Sequence, residues 1–407
     1  MQLLVLWLGL NLIAFSSLAS PSFQLTPQTT KIHFSLANSH FSHSINSLLK
    51  TSSFSKYSLN LANNKFNNFL STVIDTEGTY SQSETLESQP IFSTYTATKN
   101  SATIRSCTFT NCTSKVNGGA IILSRTCHDS KVNFCSFINC SCKVNGGAIY
   151  SESSRFWGSY CCFAFCDCGN NSYGASVYSK SDGEVSLLFY SFFQSPFHYP
   201  QPVENGVLYM NKGNQRLNSQ NYSMNYGSLF GGPVLEDSST VIIRSITMFD
   251  HIAGSMMGFY SLPQTHDISM GNIVNCSCLF GIFRLENSQA VISEFIFVDN
   301  QANLTTSQFL KSYTKIPIGE SALMLNKCIF NQPNIQDGRL KVIKQYCLTN
   351  RTHRTTLRLQ MMNTAFCEGV PFSLNLYPLL WGLAGVTALS IILGCVVQYY
   401  DKKKKEE

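Results

Sequence analysis

Residues 107–122 read CTFTNCTSKVNGGAII, and residues 135–150 read CSFINCSCKVNGGAIY. A shift of 28 positions lays Cys107 on Cys135, Phe109 on Phe137, Cys112 on Cys140, Lys115 on Lys143 and Gly118 on Gly146. A looser third copy, CCFAFCDCGNNSYGASVY, occupies 161–178. A unit this short cannot bury its own apolar face, so it must stack on its neighbours. The repeat therefore restricts the fold to a solenoid before any other feature is considered.

The residue types choose among solenoids. Leucine-rich repeats need several leucines per copy, and residues 107–150 contain only Leu123. Helical repeats need apolar stripes of 3.6-residue period, whereas these copies are rich in Gly, Ser, Asn and Cys with short β-branched and aromatic runs. A parallel β-solenoid remains, with coils about 4.8 Å apart and equivalent residues directly above one another. Phe109, Phe137 and Phe163 should then form a buried ladder. Gly118-Gly119 and Gly146-Gly147 should form a corner open only to glycine, half kept in Gly174-Ala175. The pattern continues as LLFYSFFQS, VIIRSITMFDH, GNIVNCSC, AVISEFIFVDN and ALMLNKCIFNQ, which extends the ladder through Phe192, Met248, Ile273, Phe297 and Ile329, with Tyr222 filling one double step. About nine coils are expected between 100 and 332, a rod of roughly 40 Å.

The pairing of Gly118-Gly119-Ala120-Ile121 and Gly146-Gly147-Ala148-Ile149 with Phe297-Val298-Asp299-Asn300 resembles the repeat of chlamydial polymorphic membrane proteins. It resembles more closely the related repeat proteins on the surface of trichomonad parasites. The clearest copies end in Cys112, Cys140 and Cys166 where that pattern has Asn, so the chlamydial comparison is one of architecture. The resemblance implies an all-β, pectate-lyase-like, right-handed parallel β-helix used in adhesion.

The ends of the chain read as targeting signals. Residues 1–19 have an apolar core from Leu3 to Phe15 and a Ser17-Leu18-Ala19 cleavage pattern, which predicts a signal peptide. Residues 379–397 form an uncharged run, long enough for a bilayer core of about 30 Å. Tyr377 and Trp381 mark one interface, and Tyr399 and Tyr400 the other. A transmembrane helix is thus expected over 377–400, with Asp401 and Lys402–Lys405 in a cytoplasmic tail, 401–407, and the rest outside at the plasma membrane. The final Lys404-Lys405-Glu406-Glu407 also fits the dilysine retrieval pattern, so residence in the endoplasmic reticulum or early secretory pathway is the alternative. Between these ends lie residues 20–100, read as a cap or irregular early coils, the repeats at 101–335, and a basic cap and stalk at 336–376.

Residues 20–376 carry 25 Lys and Arg against 20 Asp and Glu, too small an excess to argue for nucleic acid. Within them Arg339, Lys341, Lys344, Arg351, Arg354 and Arg358 occur without an intervening acid, and they are candidate contacts to anionic glycans or headgroups. A solvated cap on the last coil is the competing reading. Of 16 Cys, ten lie between 107 and 168. In an oxidising compartment the columns Cys107/Cys135/Cys161 and Cys112/Cys140/Cys166 are disulfide candidates, since coil spacing suits the Cα separation of a disulfide. Buried thiols packed as small hydrophobes are the alternative. The C-x-C pairs and His33, His40 and His43 lack the spacing of a metal site, and neither metal nor cofactor is expected.

Seven N-x-S/T sequons occur, and Asn221, Asn303 and Asn350 are the favoured acceptors. Strict strand alternation would turn Asn111, Asn139 and Asn275 inward. No Asp or Glu recurs at the coil period to line a catalytic groove, and no nucleophile elbow, Walker loop or zinc motif appears. The reading is a single-pass surface protein that binds host-cell, matrix or glycan ligands without turnover. A polysaccharide-acting β-helix enzyme is the alternative that fold analogy keeps.

Overall fold

The structure, a computed structural model, describes residues 23–25, 32–51, 57–76, 100–169, 172–188, 191–193, 203–262, 266–301, 303–306, 322–331 and 341–349. All belong to the first of two compact units, Met1–Glu368. The expected signal peptide, transmembrane helix and tail lie outside the described residues. Among the described residues no helix is long and apolar enough to cross a membrane.

Every regular element among the described residues is a strand, and the named pairings are parallel. The strands form a long sheet of 20 segments, a second sheet of 13 and a two-stranded patch of Thr113–Ser114 with Ser141–Cys142. The chain is a β-solenoid. One column follows it from end to end: Phe41, Phe66, Phe109, Phe137, Phe163, Phe192, Tyr222, Met248, Ile273, Phe297, Phe330 and Thr349, each paired with the next. Seven aromatic rings stack in sequence, with centroids 4.9 Å apart from Phe109 to Phe137 and 4.8 Å from Phe137 to Phe163. Phe109, Phe137 and Phe163 are fully buried.

Two readings of the column change. Phe330, not Ile329, continues it, because Phe330 pairs Phe297 while Ile329 pairs Ile296 and is only half-buried. The stack also begins before residue 100. Tyr57–Ala62 and Lys65–Phe69 are regular coil strands that pair with Asn100–Arg105 and Thr108–Thr110. Their apolar positions, Leu59, Leu61 and Phe66, sit among Asn and Ser, which hid the alternation.

The corner is built as glycine demands. Gly118 and Gly146 have φ of 55° and 70°, in the left-handed region. A Cβ on Gly119 would stand 2.2 Å from the Gly147 carbonyl oxygen of the next coil, so only hydrogen fits there.

Two further bends interrupt the long sheet, and non-glycine residues make them. Ser106, Phe134 and Tyr160 hold one bend and Asn111, Asn139 and Phe165 the other, all with φ between 52° and 56°. A left-handed residue breaks the two-residue alternation, so side chains three positions apart, such as Phe109 and Cys112, both face inward. This corrects the reading of the sequons. Asn139 and Asn275 are exposed and Asn111 half-buried, whereas the favoured acceptor Asn221 is only 5% exposed. Asn303 is exposed, and Asn350 lies outside the described residues.

Just after many of these bends an inward polar side chain donates to a carbonyl of the preceding coil, while Phe69, Ile246, Gly271 and Phe295 take the same slot elsewhere. After the second bend, Cys140 donates to Phe109, Cys166 to Phe137, Cys276 to Met248 and Asn300 to Ile273, while His251 Nε2 meets the Tyr222 carbonyl at 3.0 Å. After the first bend, Asn64 donates to Leu36, Cys135 to Ile104, Cys161 to Val132, Gln220 to Leu187 and Cys328 to Ile292. A buried polar group needs such a partner, and a carbonyl has two lone pairs to offer. The disulfide expectation is corrected accordingly. Cys107, Cys112, Cys135, Cys140 and Cys161 are thiols, and Cys166 spends its S–H on carbonyls. A disulfide along either column would remove the donors that tie coil to coil. Cys162, facing the opposite side in a small cluster with Ala164 and Phe165, is disulfide-bonded.

Candidate functional site

A solenoid offers function on its outward columns, and three of these carry unusual chemistry. The first is an asparagine line along the second bend. Asn111 donates to Asn68 Oδ1 at 3.0 Å, Asn139 donates to Asn111 Oδ1 at 2.7 Å, and Asn68 meets His43 Nε2 at 3.0 Å. His43 is therefore part of a surface ladder. Among the described residues no group of three or more His, Cys, Asp or Glu is placed to hold a metal ion.

The second column lies on the outer side of the second sheet. Tyr150, Tyr178 and Tyr209 pair in register and stack at 5.1 and 5.6 Å. Glu236, Tyr260 and Glu286 follow one another in a parallel column. The Tyr150 hydroxyl donates to Glu152 at 2.8 Å, and Glu236 accepts from the Tyr209 hydroxyl and from Asn211 Nδ2. Arg284 is 1% exposed, lies over the Phe230 and Tyr260 rings, and bonds Glu286 at 2.6 and 3.0 Å. Burial raises the Tyr178 hydroxyl to about 12, and burial with the Glu236 bond drives Tyr209 higher still. These tyrosines stay protonated and act as donors. Each carboxylate is committed to a hydroxyl or guanidinium, which makes the face a clamp between coils. Sequence reading missed it because register, and not spacing, brings Glu152, Glu236 and Glu286 to one face across corners of unequal length.

The third face lies on the outer side of the long sheet, over the coils that carry the clear repeat. Phe134 and Tyr160 stack at 4.9 Å with nearly parallel rings. Arg105 lies over Phe134 at 5.5 Å, and Trp157 has Lys131 at 5.3 Å and Arg155 at 5.1 Å from its ring centre. Phe134 is 46% exposed. A non-glycine residue in the left-handed region costs about 1–2 kcal/mol. The fold does not require rings at this position, since other coils place Asn38, Asn63, Ser219 and Ser245 at the same bend. Arg155 pairs with Asp129 at 2.6 Å, and Asp129 also meets His128 at 3.0 Å. Among the described residues neither Arg105 nor Lys131 has an acidic partner.

The basic segment proposed from sequence is only partly described. Lys341 and Lys344 stand on the strand Lys341–Gln345 of the final coil, whereas Arg339, Arg351, Arg354 and Arg358 lie outside the described residues. Lys344 pairs with the fully buried Leu325, so it occupies an inward position of the final coil. Its ammonium lies 5.8 Å from the Phe330 ring centre and is exposed. There its stem covers the open end of the core while the charge reaches water, as a cap requires. The Phe column ends alongside, in Thr349.

With this geometry in hand, comparisons with known protein families, with curated proteins and with solved structures find no match.

Proposed function

We propose that this chain is a membrane-anchored surface protein whose β-solenoid binds a ligand on a host cell, another cell or matrix, and does not transform it. The observation that carries the reading is the unbroken register from Phe41 to Thr349, which sets outward side chains in columns at coil spacing. A surface that repeats suits a ligand that repeats, and many weak contacts add up through avidity. The sequence supports the anchor through its 379–397 apolar run and lysine stop. The carboxylates of the second-sheet face support binding over hydrolysis, because each already serves a structural donor.

The test is adhesion of beads carrying the full-length protein to a panel of cells, beside incubation of the same protein with a polysaccharide panel. Adhesion without cleavage is the expected result. Cleavage without adhesion overturns it in favour of the enzyme reading. Surface biotinylation of intact cells addresses the dilysine alternative: retention that disappears on Lys404→Ser with Lys405→Ser would move the protein to the early secretory pathway.

A further inference from the structure

The cations of the long-sheet face have a geometry of their own. Arg105, Lys131 and Arg155 come from three successive coils. Register puts Arg105 level with Asn133, Lys131 level with Trp157, and Arg155 level with Asp129. They step one column sideways at each coil and run diagonally across the sheet. Each sits against an aromatic ring, so long side chains that would otherwise be mobile are held in place. Two acids flank the line, level with Arg155 on the coils before and after it: Asp129 is occupied by Arg155 and Glu184 by Arg216. Ordering the side chains before a ligand arrives lowers the entropy cost of binding.

We propose that this diagonal is a binding site for a linear acidic polysaccharide, one that carries sulfate or carboxylate on successive sugars. It rests on the adhesion reading and names the ligand class. A straight row of fixed cations matches a linear polyanion. The exposed Phe134 and the half-buried Tyr160 and Trp157 lie along the row and suit the apolar faces of sugar rings. A flat lipid surface gains little from three charges in a line, and a chain with so small a net charge has no general attraction for nucleic acid.

The experiment uses full-length protein in neutral detergent micelles and a size-defined heparin oligosaccharide as probe. Neutral dextran, a DNA oligonucleotide of equal length and phosphatidylserine vesicles serve as comparators. Wild-type protein should bind the heparin probe, lose affinity as salt rises, and ignore dextran. Arg105→Gln with Lys131→Gln should weaken binding about tenfold and flatten the salt dependence. Phe134→Gly with Tyr160→Gly supplies the stricter test. Glycine is at ease at φ near 55°, so the thermal midpoint should hold while affinity falls several-fold. (Asn at 134 is avoided because it would create an Asn-Cys-Ser sequon.) The site is refuted if these variants bind like wild type, if only Arg351→Gln with Arg354→Gln abolishes binding, or if DNA or vesicles bind as tightly as heparin. Cell adhesion that survives the variants would remove this site and leave the adhesion reading standing. Heparin binding by a protein that adheres to no cell would do the reverse.

Discussion

The coils from Cys107 to Cys166 and those from Asn214 to Asn300 solve one problem with different chemistry. Both bend the long sheet with left-handed residues; the earlier coils place Cys just after both bends, whereas the later ones keep a polar side chain after the second bend but, past Gln220, fill the first-bend slot with Ile246, Gly271 and Phe295. The earlier coils use Cys; the later ones mostly use Gln220, Asn225, His251 and Asn300, with Cys276 among them. Asn300 does more than a thiol, because Oδ1 also accepts the Cys276 N–H at 2.9 Å while Nδ2 donates to Ile273 at 2.7 Å. Asn64 makes the same double contact, from Ser39 N–H and to Leu36. The earlier coils compensate with packing. Their column is continuous phenylalanine, while the later one passes through Met248 and Ile273. Strong aromatic stacking tolerates weak S–H donors in the early coils, although amides also occur beside stacked rings, Asn64 before Phe66 and Gln220 and Asn225 on either side of Tyr222.

The largest expected effect tests the packing side. Phe137→Ala should cost about 3–5 kcal/mol, the range for truncating a core aromatic, since rings stack on both of its faces. Ile273→Val, in the later coils, should cost about 1 kcal/mol. Chemical denaturation followed by far-ultraviolet circular dichroism reads both. A silent Phe137→Ala would mean the ladder is not what holds the early coils.

Next in size is a pH effect confined to the later coils. Burial holds the His251 imidazole at about 4, well below its ordinary 6.5, and His266 is lowered for the same reason. As pH falls below about 6.5, the unfolded chain takes up protons that the folded chain refuses. Stability is therefore complete above about 6.5 and declines toward pH 4, by up to about 3 kcal/mol from His251. Asn225 and Asn300 do the same job without a titrating group, so His251→Asn should remove most of this acid sensitivity. The early coils, with Cys in that slot, should keep their amide protection over the same pH interval when hydrogen exchange is read segment by segment.

Much of this was legible in the sequence. The 28-residue shift identified the stack, the Phe109/Phe137/Phe163 column and the Gly118-Gly119 corner, because parallel register puts like on like. What was not legible traces to one feature, the left-handed residue. Nothing in Ser106, Phe134 or Asn139 announces φ near 55°, so alternation carried past them put Asn139 inside, the reverse of the structure. The Cys columns were visible as columns. Their role was not, since spacing alone cannot separate a disulfide from two thiols bonded to carbonyls. The cation line was hidden for a related reason: Arg105, Lys131 and Arg155 share no repeat position and meet only diagonally.

A smaller effect separates the two donor types directly. Asn300→Ala should cost about 2–3 kcal/mol, because the Cys276 N–H and the Ile273 carbonyl both lose a buried partner. Asn300→Cys should recover about half of that, since a thiol of the kind found at Cys140 still reaches the carbonyl. Equal losses for the two variants would show that Cys and Asn are not interchangeable in this slot.

The smallest expected effect concerns the thiols themselves. Burial pushes Cys276 and Cys328 up to about 12 and Cys127 to about 11, so at neutral pH they carry no thiolate with which to react. Alkylation of the folded protein should leave Cys127, Cys276 and Cys328 unmodified and the thermal midpoint unchanged. Unfolding in denaturant without reductant should then expose all three to the reagent, while Cys162 should still require reduction first. Mass spectrometry of the digested protein separates these classes. A Cys112–Cys140 or Cys140–Cys166 linkage in the non-reduced digest would overturn the donor account, because a sulfur in a disulfide has no proton to give the Phe109 or Phe137 carbonyl.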